Sequence, residues 1–241
     1  LEGAAYALGL TVAYRNFSTQ NRWKISLSHA KSLCKQCCPF IIIGLMITSH
    51  ARVDQLMLKQ MMGERELGIY AAALQISNVW TVIPSTLITS IAPYIALRKS
   101  LDEISYQNSL VALYRIFALI ALLVVVFTVI ISPYLINLLY GVQYKSAATA
   151  LRILVLANLF GFIGIAQTLW TINDHVITAT LLSTFISSIA NIVLTYMLIN
   201  NFGYQGAAFS VVFTECLSIV IIPCILRRDL LNLYRRAFFP I

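Results

Sequence analysis

Charge is scarce in this sequence. Asp, Glu, Lys and Arg make up 11% of its 241 residues, against roughly 25% in an ordinary soluble domain. No polar stretch is long enough to build a soluble domain, while 59% of the residues are hydrophobic and fall in blocks of membrane-spanning length. The class this leaves is an all-α, polytopic integral membrane protein. Catalytic signatures are lacking too: G-x-x-x-x-G-K-[ST], G-x-S-x-G, H-E-x-x-H and paired C-x-x-C motifs do not occur, so neither an enzyme, nor a cofactor, nor transport driven by this chain's own ATP hydrolysis is expected. Histidine is limited to His29, His50 and His175, too few for a His-rich metal site. Three of the five cysteines form CKQCC at 34–38 with no adjacent His, and they read as reduced juxtamembrane residues rather than a zinc site, so no metal is expected.

Seven apolar blocks are present, at roughly 1–14, 38–58, 68–97, 110–139, 150–173, 178–200 and 204–226; a spanning helix needs about 20 residues. The opening LEGAAYALGL has neither an initiating Met nor a basic signal region, and it reads as the second half of a helix whose start is missing, so the chain is taken as a C-terminal fragment. The expected organisation is a truncated membrane helix over 1–14, a basic cytoplasmic loop over 15–37, a six-helix transmembrane bundle over 38–226 and a basic cytoplasmic tail over 227–241. Pro84, near the middle of the third block, is expected to bend that helix because it lacks a backbone donor.

The formal net charge of +8 does not mark nucleic acid, because the basic residues sit in the gaps between apolar blocks rather than on one face with interleaved aromatics. They encode topology instead. With the 15–37 connection inside, that side collects Arg15, Arg22, Lys24, Lys31, Lys35, Arg98, Lys99, Arg227, Arg228, Arg235 and Arg236, while the other receives Lys59, Arg65, Lys145 and Arg152. This positive-inside bias places the C-terminus in the cytoplasm. A faint internal echo accompanies it: Glu2 precedes Arg15 by thirteen residues, and Glu215 precedes Arg227 by twelve.

Ionisable residues inside lipid cost about 2.5–3.5 kcal/mol each at a helix centre on insertion scales, so they are the default functional candidates. The stretch ITSHARVDQLML (47–58) holds three. His50 and Asp54 are i and i+4 and share a helix face, whereas Arg52, about 200° around from Asp54, must find another helix, water or an anionic ligand. The structural alternative has Arg52 reaching the headgroups and the His50–Asp54 pair joining two helices. Glu215, in SVVFTECLSIV, and Glu2 lie deep in apolar blocks. Arg115 either reaches the cytoplasmic surface or lines a pathway. Gly206 and Ser210 have the small-x-x-x-small spacing of close helix packing.

Residues 52–95 resemble a signature of polysaccharide-export flippases: Arg52-x-Asp54-x-x-x-Leu58, a turn with Gly63, then Gly68-x-Tyr70-x-x-Ala73, and a helix with Pro84 inside and Pro93 near its end. LLYGVQYKSAATALRIL (138–154) and NNFGYQGAAFS (200–210) are similar to later motifs of that family. The resemblance implies the multidrug/oligosaccharidyl-lipid/polysaccharide exporter fold, with this chain as the second of two six-helix bundles around a cavity. It further implies translocation of undecaprenyl-pyrophosphate-linked oligosaccharide across the bacterial inner membrane for O-antigen or capsule synthesis. The substrate pyrophosphate then offers a ligand for Arg52, and H+ or Na+ a coupling ion. The partners implied are the lipid-linked oligosaccharide, membrane lipids and that ion. Two rivals stay open: a cation-coupled multidrug exporter of the same superfamily using Asp54 and Glu215, and a membrane-embedded glycan polymerase or ligase.

Overall fold

The computed structural model describes residues 41, 44, 52–174 and 176–238. His50, Glu2, the 1–14 helix and the 15–37 loop lie outside them. Every element longer than a turn among the described residues is helical: α1 (52–62), α2 (Glu64–Val79), α3 (Val82–Leu101), α4 (Glu103–Tyr140), α5 (Ala147–Asn173), α6 (Ile177–Cys216), a π-helical stretch Leu217–Ile221, α7 (Ile222–Leu226) and α8 (Arg228–Phe238). Four stretches are long and apolar enough to cross a membrane: Glu64–Leu101, Glu103–Tyr140, Ala147–Asn173 and Ile177–Leu226.

Local chemistry sets the boundaries. The apolar pattern places a loop over 98–109, yet α4 begins at Glu103, because Asp102 is an N-cap whose carboxylate accepts from the backbone N–H of Ile104 (3.2 Å) and Ser105 (2.9 Å). The polar residues that follow become its first two turns. The expected bend at Pro84 falls just before it. Pro84 cannot donate to the Trp80 carbonyl four residues back, and that carbonyl accepts from Ile83 N–H at 3.2 Å in a tighter turn that separates α2 from α3.

α6 is not one straight rod. Gly203 adopts φ 56, ψ −136, a backbone region open chiefly to glycine. On either side of it Thr195 meets Ser210 at 2.8 Å and Asn191 meets Thr214 at 3.4 Å. Residues 15 and 23 apart along a straight helix would be separated by roughly 22 and 34 Å, so the two arms run antiparallel. At the fold, a Cβ on Gly206 would lie 2.0 Å from the Leu198 carbonyl oxygen; only glycine permits so close an approach.

Connections alternate between two ends of the bundle. At one end, Lys99 donates to Asp174 and Arg236 reaches Gln107 and Asn108 on α4. At the other, Gly203 approaches Met62, Gly68 lies against Tyr144, and Tyr204 donates to the Ser146 carbonyl at 3.5 Å. Each end has its own apolar core. The first gathers Tyr106, Tyr114, Phe117, Phe162 and Trp170 with Leu230, Leu233 and Tyr234 of α8; the second gathers Leu58, Tyr70, Ala73, Ile136, Leu151, Ile199, Ala207 and Ala208. Ile116, Leu119, Leu123, Val126 and Ile130 on α4 stay exposed, an apolar stripe suited to lipid tails.

Candidate functional site

Helix α1 carries two different faces. Asp54 is 2% exposed and Leu58 fully buried, one turn apart on the side that packs into the bundle. Arg52, Leu56 and Lys59 are exposed; with offsets of four and seven residues they share the opposite side. Together with Val53, Gln55 and Leu67 they line an open concavity of about 470 Å³. Lys59 also pairs with Glu64 at 3.2 Å across the Gly63 turn.

Asp54 enters a cluster of neutral polar groups rather than an ion pair among the described residues. Thr195 Oγ1 donates to Asp54 Oδ1 at 2.9 Å and is 2.8 Å from Ser210 Oγ. Asn191 Nδ2 donates to Thr214 Oγ1 at 3.4 Å. Asn191, Thr195, Ser210 and Thr214 are completely buried. Two buried oxygens here lack a hydrogen-bond partner among the described residues: Asn191 Oδ1 and the Tyr70 hydroxyl, the latter within electrostatic reach of Asp54. The cluster joins α1 to both arms of the α6 hairpin and is lined almost entirely by oxygen. That donor set suits a hard monovalent cation or a proton.

The other candidates lie apart. Glu215 is half-buried one residue beyond Thr214, about 100° around the helix. Arg115 faces the opposite end of the bundle, where Nε donates to the Ala237 carbonyl and Nη2 to the Arg236 carbonyl, both at 2.8 Å. It caps the C-terminus of α8. The location of His50 and Glu2 falls outside the described residues. Asn191, Thr195, Ser210 and Thr214 escaped sequence reasoning that looked for ionisable groups. Their signal is two i,i+4 polar pairs, Asn191 with Thr195 and Ser210 with Thr214, within apolar blocks.

The three motifs of the sequence converge at one end. Leu58, Tyr70 and Ala73 from the first, Tyr140 and Tyr144 from the second, and Ala207 and Ala208 from the third belong to or pack against a single core. Gly68 lies against Tyr144, with 3.8 Å from its Cβ position to the ring hydroxyl. A family model described as "Polysaccharide biosynthesis protein" matches residues 4–149. A comparison with curated proteins finds no match.

Proposed function

The chain belongs to the polysaccharide biosynthesis protein family, and from that premise we propose that it is one bundle of a flippase. Its substrate is undecaprenyl-pyrophosphate-linked oligosaccharide, carried across the bacterial inner membrane for O-antigen or capsule synthesis. On this reading the bundle has six crossings: one ending in α1, one formed by α2 and α3, one each by α4 and α5, and two by the arms of the hairpin and its continuation. The end bearing Arg98, Lys99, Arg227, Arg228, Arg235 and Arg236 faces the cytoplasm. The chain works as a transporter rather than an enzyme.

The observation that carries the proposal is the division of labour on α1. Arg52, exposed over an open concavity, presents a planar guanidinium that can hold two phosphate oxygens at once. Asp54 faces away into the buried oxygen cluster, where H+ or Na+ can bind without competing for the same side chains. An ion that changes how α1 packs on the hairpin also moves Arg52, because the two residues ride on the same helical turn. The basic character of the open face favours an anionic substrate over the cationic drugs of the rival exporter.

The test is translocation in proteoliposomes by the protein as it is made in its cell, with lipid-linked oligosaccharide and a cationic drug offered in parallel. Transport of the glycan lipid is expected, lost in Arg52→Ala and weakened in Arg52→Lys. Full activity in both variants removes the pyrophosphate role, and transport of the drug alone rejects the flippase. Asp54→Asn is expected to abolish the response to an imposed Na+ or pH gradient while substrate binding persists.

A further inference from the structure

The C-terminal helix α8 divides into three faces. Leu230, Leu233, Tyr234 and Ala237 are buried in the core. Asp229, Asn232 and Arg236 line a cavity of about 390 Å³ with Tyr106, Trp170 and Asp174. The rest, Arg228, Leu231, Arg235 and Phe238, are exposed, and at 100° per residue they occupy a single arc of roughly 80°. The two occupied faces leave this third one to point away from both bundle and cavity.

Its composition is specific. Leu231 is 43% and Phe238 39% exposed, alternating along the stripe with two arginines that have no ion pair among the described residues. Ile221 and Ile225, 42% and 75% exposed, lie on the segment leading into the helix. The helix is also held firmly. Tyr234 Oη shares its hydrogen between Gln167 Oε1 (3.1 Å) and the Ile219 carbonyl (3.3 Å), an acceptor that Pro223, four residues on, cannot use. Arg115 caps the far end. In water the exposed parts of Leu231 and Phe238 gain nothing, whereas at a membrane boundary they are covered. An apolar strip flanked by guanidinium groups, at the end of a membrane bundle, fits the boundary between acyl chains and anionic headgroups.

We propose that Arg228, Leu231, Arg235 and Phe238 form a contact surface for anionic phospholipid, with Leu231 and Phe238 entering the acyl boundary and the two arginines holding headgroup phosphates. The docked helix thereby fixes the depth of this end of the bundle in the membrane. The proposal concerns the lipid around the protein and stands whatever substrate the protein carries.

A bimane fluorophore on Leu231→Cys, in the full chain with its native cysteines replaced by serine, tests it in nanodiscs. Brominated phosphatidylglycerol is expected to quench this label more than brominated phosphatidylcholine, and iodide in the water to quench it little. The same label on Asn232→Cys is expected to show the reverse ranking of iodide and lipid. Arg228→Gln with Arg235→Gln should reduce the phosphatidylglycerol preference about 25-fold, at roughly fivefold per arginine. Iodide quenching at 231 equal to that at 232, or an unchanged lipid preference in the double variant, overturns the proposal. Should the cysteine-free protein fail to fold, phosphatidylglycerol retained through detergent washing is compared between the wild type and the double arginine variant. Equal retention overturns the proposal equally well.

Discussion

Replacing Thr195 by valine keeps the shape of the side chain and removes one hydroxyl, which bridges Asp54 Oδ1 at 2.9 Å and Ser210 Oγ at 2.8 Å. Hydrogen bonds between membrane helices average about 0.6 kcal/mol and reach about 1.7 kcal/mol. Removing two of them from a fully buried site puts the cost of Thr195→Val at about 1–3 kcal/mol. Part of that belongs to the pair with Asp54, and a double-mutant cycle with Asp54→Ala isolates it as a coupling of about 0.6–1.7 kcal/mol. The assay is reversible SDS unfolding in mixed micelles followed by circular dichroism. Thr195→Ser, which retains the hydroxyl, is expected to keep most of the coupling. If Thr195→Val and Asp54→Ala are additive to within about 0.3 kcal/mol, the cluster is not an energetic unit, and the case for an ion site there fails with it.

Gly206→Ala places a Cβ 2.0 Å from the Leu198 carbonyl oxygen and 2.4 Å from its carbon. Backbone cannot yield as a side chain can, so a loss of about 3 kcal/mol or more is expected in the same titration. Arg115→Gln removes a charged donor from two terminal carbonyls of α8, and hydrogen exchange across 228–238 should accelerate roughly ten- to a hundredfold, at about 1.5–3 kcal/mol for charged hydrogen bonds. The hydrogen bond with the Ser105 side chain, then the backbone N–H groups of Ser105 and Ile104, hold the Asp102 carboxyl below its ordinary pKa of 3.8. Its capping contribution is therefore complete above that value and lost as pH falls through the depressed folded one. Amide exchange at 104–106 should rise in strong acid in the wild type, whereas Asp102→Ala is expected to show the rise at every pH.

Much of the fold was legible because lipid imposes one strong rule, that backbone polar groups be satisfied within helices. The apolar blocks followed from it. The start of α4 did not, since hydropathy counts Glu103 to Ser109 as loop and carries no information about a side chain capping a helix. The opposition of Arg52 and Asp54 could be read from two residues of helical rotation. What received each of them could not, because Thr195 and Ser210 lie 141 and 156 positions along the chain from Asp54 and carry no charge to draw notice. The tail was expected as a basic segment on the cytoplasmic side; that Leu230, Leu233, Tyr234 and Ala237 dock it on the bundle depends on surfaces contributed by α4, α5 and the π-helical turn.

By itself, then, the sequence determined the all-helical membrane class, the alternation of ends and the two-sidedness of α1, since periodicity and hydrophobicity are local properties of a chain. Only tertiary structure decided which neutral residues surround Asp54, that Arg115 serves the tail helix, and which face of that helix remains free. Those outcomes depend on residues far apart in the chain meeting at van der Waals distance, and the close approach of Leu198 and Gly206 that folds the hairpin is what brings the oxygen cluster together.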